Sequence, residues 1–425
     1  MIEALYEGVF STTLNSGLQV LVEEVPTSRS VSVGIWVKVG SRDDPDSLFG
    51  LTHFLEHLLF KGTFTRDATR MAQEIDGVGG HLNAATGKES TFYYAEVPVD
   101  GLHLALEILT DLVQHPALNP KELERERGVI LEEISSHKDD PEQHAYDLFN
   151  AGLWEGSHPL SRSVLGDRST IKEVTREEVA GYHRRFYQPG NMVLVVCGAI
   201  DAKRVIATVE QLFDPFSMSS GVSRRSPPSM RSGRTLHKRE TEQSHIYLGL
   251  PGTNASDDDR FALEVANTVL GDGMSSRLFR IIREERGLAY AITSSVTLYS
   301  DAGFWVLYAG VAPVNVAEVV KITLTELNRL LGEGISPDEL SLAKAKLQGH
   351  LILNLETNAN RMARLGSAAV TGREILSPDE LIGRVGAVSL EDIARVLARF
   401  ARPDAVNLAV IGPRTADVEK LCGLG

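Results

Sequence analysis

Within the segment LTHFLEHLLFKGT, residues 51–63, stand His53, Glu56 and His57. On a helix these are positions i, i+3 and i+4, so all three project from one face. Two imidazoles one turn apart can both bind one Zn²⁺ through ring nitrogens. The carboxylate beside them can then take a proton from a metal-bound water. The competing reading is a helix whose histidines sit at the edge of a core. Phe54, Leu55, Leu58, Leu59 and Phe60 make the helix almost wholly apolar. Two imidazoles and a carboxylate are expensive to bury there unless something satisfies them, and a metal ion does.

A catalytic zinc takes three protein ligands and keeps one position open, so a third ligand must come from elsewhere in the chain. The helical stretch over 120–137 offers Glu122, Glu124, Glu126, Glu132 and Glu133. Glu126 and Glu133 share a face, and Glu132 lies about 100° around from Glu133. Five acids on one helix also suit a solvated charged face, and spacing alone does not choose among them.

The elements that must carry these residues are a mixture. The stretches from Leu18 and Val31 read as strands, Leu51–Phe60 as a helix and Thr91–Val99 as a strand again. Long helices over Leu102–Gln114 and Pro120–His137 follow. Strands, then runs of helices, then a closing strand describe an α+β fold with a largely antiparallel sheet. A Ser-, Pro-, Gly- and Arg-rich stretch near the midpoint reads as a connector. The expected organisation is a zinc-bearing domain over 1–214, a linker over 215–235 and a related domain over 236–425. The relation rests on an internal match. Glu177/Glu391, Phe186/Phe400, Pro189/Pro403 and Gly198/Gly412 are all separated by 214 residues. A second pair of helices, from Asn119 and Ser336, matches at 217. Two pairs in the same order favour duplication over a chance likeness of helix–turn–strand units. The second half has no zinc motif: its corresponding region, Thr268–Phe279, contains no histidine.

Composition sets the outer bounds. The 425 residues carry 43 Lys+Arg against 57 Asp+Glu, a net charge of −14. That balance argues against nucleic-acid binding and favours a positively charged partner or substrate. Two cysteines, Cys197 and Cys422, cannot build a disulfide framework. No apolar stretch approaches the ~20 residues of a membrane helix, and the N-terminus has no signal-like apolar region. The expectation is a cytoplasmic protein with no membrane contact.

The runs HFLEHLLFKGT, HLNAATGKESTFYYAEV and RERGVILEEI resemble the inverted-motif zinc peptidases of the pitrilysin family, which includes insulin-degrading enzyme and the mitochondrial processing peptidase. The match spans essentially the whole chain and is closest to the processing-peptidase branch and its bacterial relatives. The resemblance implies a duplicated α+β domain and one Zn²⁺ per chain, held by His53, His57 and Glu133, with Glu56 as the general base. It places Glu126 behind a ligating histidine, although a surface ion pair is the plainer reading of that residue. Arg283 and Tyr290 match a pair that reaches the substrate carbonyl, and otherwise read as a surface arginine and a ring packed on the sheet. Asn83 and Ala84 match an edge strand that pairs with substrate, where Asn83 could also close a turn. The implied activity is zinc-dependent endopeptidase action on short or unfolded peptides, basic ones by the charge argument. The alternative is a non-catalytic partner or scaffold subunit, although such subunits typically lose the ligands or the base. Because the family's single-chain members join four such domains, the resemblance also implies a homodimer, or a heterodimer with a related subunit.

Overall fold

The structure is a computed structural model that describes residues 2–213, 225–415 and 418. In the first half the elements run β1 (Glu3–Tyr6), β2 (Val9–Thr13), β3 (Gln19–Glu24), β4 (Ser30–Val37), α1 (Leu51–Leu59), α2 (Ala68–Gly77), β5 (His81–Thr86) and β6 (Thr91–Pro98). They continue with α3 (Leu102–Gln114), α4 (Pro120–Asp139), α5 (Pro141–Leu153), α6 (Arg168–Glu173), α7 (Arg176–Phe186), β7 (Met192–Gly198) and α8 (Ala202–Leu212). The second half contributes β8 (Gly233–Lys238), β9 (Ser244–Pro251), α9 (Asp259–Leu270), β10 (Ala289–Leu298) and β11 (Gly303–Val311). It closes with α10 (Val316–Glu333), α11 (Pro337–Asn354), α12 (Asn358–Thr371), α13 (Pro378–Ala387), α14 (Leu390–Phe400) and β12 (Asn407–Gly412).

Two sheets result, ordered β1-β2-β3-β7-β4-β6-β5 and β10-β11-β9-β12-β8. The fold is α+β, as expected. The strands read from Leu18 and Val31 are sequential but not neighbours, because the closing strand β7 inserts between them. It runs parallel to β3 and antiparallel to β4. In the second sheet β12 takes the same place, parallel to β8 and antiparallel to β9. Five strands of the first sheet, β3-β7-β4-β6-β5, thus have counterparts β8-β12-β9-β11-β10 in the same order. The capping boxes repeat too: Thr175 and Glu178 close the start of α7, and Ser389 and Asp392 that of α14.

Each sheet is covered on both faces. Period-two alternation in β4 sends Val31, Val33, Ile35 and Val37 into a core with α1, α3, α4, α7 and α8, and Trp36 to the opposite face. There Trp36 packs with Met362 and Leu365 of α12. In the second sheet Ile246, Leu248 and Leu250 of β9 face α9, α10 and α14, while Tyr247 packs with Phe149 and Leu153 of α5. The compact units therefore do not follow the chain in one piece. One comprises 1–135, 162–225 and 353–377; the other comprises 136–161, 226–352 and 378–425. Of the expected linker, residues 215–224 lie outside the described residues, and Gly233 already begins β8. The stretch Thr268–Phe279 is helical only at its two ends, where α9 closes at Leu270 and where Arg277 and Leu278 lead into a π-helical turn that starts at Phe279. Among the described residues, no helix is long and apolar enough to cross a membrane.

The close approach of α12 to β4 depends on missing side chains. A Cβ at Gly366 would lie 2.4 Å from the Trp36 ring, and one at Gly34 would lie 2.5 Å from it. In β9, a Cβ at Gly249 would lie 2.5 Å from the Phe149 ring. Gly366→Ala should therefore lower stability by about 1–3 kcal/mol, because overpacking outweighs the helix-propensity gain. The same change at Gly383 in α13, where nothing lies within 4 Å, should raise stability by roughly 0.5–1 kcal/mol. Denaturant midpoints of the two variants check the opposite signs.

Candidate metal centre

The site is built on α1, and α1 is anchored before it begins. The buried Asp44 carboxylate accepts the Gly50 N–H at 2.8 Å and the Thr52 N–H at 3.1 Å, satisfying donors that a helix start leaves open. The Thr52 hydroxyl and the Tyr182 hydroxyl, the latter at 3.0 Å, donate to the same oxygen. Burial pushes the Asp44 carboxyl up to about 7 against these four donors, which favour its charged form. Gly50 enters the helix at φ 94°, and a Cβ there would meet Gly166 Cα at 2.7 Å. Only glycine fits that entry.

Beyond the anchor, Phe54, Leu55, Leu58 and Leu59 are buried in the core of the sheet. Leu123, Ile130 and Ile134 bring α4 into that same core, and the Arg127 guanidinium sits 5.6 Å over the Phe54 ring. Arg127 also donates to the Val174 carbonyl at 2.8 Å. This docking decides which acid meets the histidines. Ile130 and Ile134 face inward, so Glu126 and Glu133, on the same side of α4, face α1, while Glu132 points to solvent.

Glu133 Oε2 lies 3.9 Å from His53 Nε2 and 3.7 Å from His57 Nε2. Those separations are too long for hydrogen bonds, and Oε2 is buried without a hydrogen-bond partner. The three ligand atoms lie within 4.8 Å of one another, the one such group of three among the described residues. Ligands of a tetrahedral zinc stand roughly 3.4 Å apart, given bonds near 2.0–2.2 Å. The donor set of two imidazoles and one carboxylate, converging on an unsatisfied buried oxygen, fits that ion. Burial, and then the neighbouring His57, push the His53 imidazole down to about 4. It is therefore neutral near pH 7, the form that offers a lone pair to a metal.

Behind the ligands, His57 Nδ1 lies 3.2 Å from Glu126 Oε2. With the proton on Nδ1, His57 donates to the carboxylate and turns a bare Nε2 toward Glu133. Lys61 Nζ holds the other oxygen of Glu126 at 2.9 Å, so that buried carboxylate has a cation as well as a donor. His53 has no such holder: its Nδ1 is buried without a hydrogen-bond partner. Glu56 is half-buried beside the cluster. Burial raises its carboxyl above the usual range, and the Thr86 hydroxyl, which donates to Oε2, works against that shift. Three residues here escaped the sequence reading: Asp44, Lys61 and Thr86. Lys61, four after His57, and Thr86, in alternation with Leu82 and Ala84, had period as their signal. Asp44 lies in a loop and had none.

Asn83 and Ala84 lie on β5, the last strand of its sheet, with Asn83 exposed and its Oδ1 accepting the Ala84 N–H at 2.8 Å. Arg283 and Tyr290 belong to the other compact unit, where the guanidinium sits 4.9 Å over the Phe279 ring and 5.9 Å from the Tyr290 ring. Tyr290 is 76% exposed, so its ring is not packed on the sheet.

Comparison with known proteins gives two family matches. Residues 19–168 match the insulinase family, peptidase family M16, and residues 173–347 match the M16 peptidase inactive domain. The chain is 40% identical to an uncharacterized zinc protease of Mycobacterium leprae, over 96% of this chain and 92% of that one. It is 38% identical to an uncharacterized zinc protease of Streptomyces coelicolor, over 95% and 89%. A third, from Bacillus subtilis, is 34% identical over 94% and 97%. Among solved structures, a protease from Helicobacter pylori superposes with a TM-score of 0.88 at 24% identity, covering 95% of this chain and 99% of that chain. A peptidase M16 inactive domain from Pseudomonas fluorescens gives 0.89 at 21%, covering 95% and 98%. These likenesses establish a shared fold.

The geometry separates the acids of α4 by experiment. Glu133→Gln should weaken zinc binding most, Glu126→Gln by about 10–100-fold, and Glu132→Gln not measurably. Competition against a chromophoric chelator measures all three. Equal losses in Glu132→Gln and Glu133→Gln would mean that helix integrity, not ligation, is being read.

Proposed function

Because the chain belongs to the insulinase family of peptidases, M16, we propose that it is a zinc-dependent metalloendopeptidase acting on short or unfolded peptides. The observation that carries this reading is the convergence of His53, His57 and Glu133 beside a Glu56 that none of them ties up. His53, His57 and Glu133 hold the ion. When bound, zinc supplies Lewis acidity that polarises a carbonyl and eases deprotonation of water near neutral pH. Glu56 accepts a proton from the attacking water and delivers it to the amide nitrogen as the C–N bond breaks. The water oxygen ends in the new carboxylate, and the second product is an amine. A ligand-only structural site has no use for such a base.

The same reading gives β5 the task of receiving the peptide. Its outer edge has no neighbouring strand among the described residues, and an extended peptide can add to such an edge by main-chain hydrogen bonds. Asn83 and Ala84 sit on that strand. The net charge of −14 favours basic peptides at low salt. Arg283 and Tyr290 would donate to the developing oxyanion. In a homodimer, each chain's pair would serve its partner's zinc.

Two experiments test this function. Glu56→Gln should keep its zinc and lose hydrolysis of a quenched peptide by about 10²–10⁴-fold or more; loss of the metal instead would make Glu56 a ligand. Mixing Glu56→Gln with an Arg283→Ala/Tyr290→Phe double variant tests the dimer. With full subunit exchange about half the dimers are mixed, each with one intact site. Activity should then recover to about a quarter of wild type per total site. No recovery despite demonstrated exchange would place the whole site in one chain.

A further inference from the structure

The Glu56 carboxylate has one hydrogen-bond donor among the described residues, the Thr86 hydroxyl, which meets Oε2. A glutamate side chain loses about 1.5–2 kcal/mol of rotamer freedom when it is fixed, so something must hold it in a productive pose. A single donor on Oε2 does this and leaves Oε1 to take up a proton. Thr86 is the last residue of β5 and is itself fixed in register, opposite Thr91 of β6. Leu82, Ala84 and Thr86 alternate onto the half-buried face of the strand, while His81, Asn83 and Ala85 are exposed. A β-branched residue suits a strand for steric reasons alone, and that role needs no hydroxyl. The hydroxyl is what spans from the sheet to α1.

We propose that Thr86 is a positioning residue whose hydroxyl holds the Glu56 carboxylate to the strand that receives the peptide. Base and scissile bond then take their positions from one piece of backbone. The inference rests on the reading of Glu56 as the base.

The test uses the full chain with Thr86→Val, which keeps the shape and removes the donor, and Thr86→Ser, which restores it. Zinc content, thermal midpoint and steady-state kinetics on an extended quenched peptide are measured for each, beside wild type and Glu56→Gln. Crystal structures of the metal-free wild type and Thr86→Val proteins give a readout independent of turnover. Thr86→Val should keep its zinc and its thermal midpoint while kcat falls by about 10–100-fold. KM should change less than about twofold, and Thr86→Ser should recover most of kcat. The Glu56 carboxylate should be displaced or disordered in the metal-free Thr86→Val crystal. Wild-type kcat in Thr86→Val, an equal fall in Thr86→Ser, or loss of zinc with the loss of rate would each overturn the proposal. An unmoved carboxylate in the crystal would do the same. Full activity in Glu56→Gln would instead overturn the assignment of the base, and the role of Thr86 with it.

Discussion

Two imidazoles and a carboxylate on a helix otherwise made, Thr52 apart, of Phe and Leu must find their partners on other elements. A polar atom buried without one costs roughly 1–3 kcal/mol. Glu126 from α4, with Lys61 behind it, meets His57, Thr86 from β5 donates to Glu56, and Glu133 from α4 stands 3.7 Å from His57 Nε2, a gap that a shared ion would bridge. Each arrives on an element with its own reason to dock. α4 comes by Leu123, Ile130 and Ile134, and β5 by pairing with β6. Asp44 makes the arrangement rigid by fixing the first turn of α1 from a buried position. The polar atoms of the site are therefore placed by apolar packing, which is less tolerant of displacement than surface contacts.

The second unit shows what the same scaffold does without this demand. Its sheet repeats the strand order, and α9 packs on β10 as α1 packs on β5. Where α1 presents Glu56 to Thr86, α9 presents Asn267, whose Oδ1 accepts the Ser294 hydroxyl at 2.6 Å and the Trp305 indole N–H at 2.8 Å. That neutral amide oxygen is fully satisfied within the protein and has nothing left to offer a metal or a water. The helix-to-sheet link persists in both halves, and the chemistry differs by the residue at its centre.

Much of this was legible in the residue pattern. The one-face placement of His53, Glu56 and His57 follows from helical period alone, and the apolar residues around them identified the segment as core. The match at a constant offset of 214 anticipated two related sheets, and the capping boxes at Thr175 and Ser389 confirm that it reflects structure. Spacing left five acids on α4 as candidate ligands. Resemblance singled out Glu133, and the structure brings it, not Glu132, to the histidines.

Local period, then, determined which face of each helix is apolar and which side chains share it, because those depend only on 3.6 residues per turn. It did not determine what each face meets. The helices α5 and α12 each carry an apolar face, yet only the tertiary structure shows α5 on the sheet of β8, β9 and β12 and α12 on that of β3, β4 and β7. An apolar stripe specifies burial but not a partner, and the choice was made by fit, such as the bare glycines at 34 and 366 that admit the Trp36 ring. For the same reason period could put Thr86 and Lys61 on the right face but not show their roles: a hydroxyl or an ammonium acquires its role from what lies within hydrogen-bond reach, and that is set by residues far away in the chain.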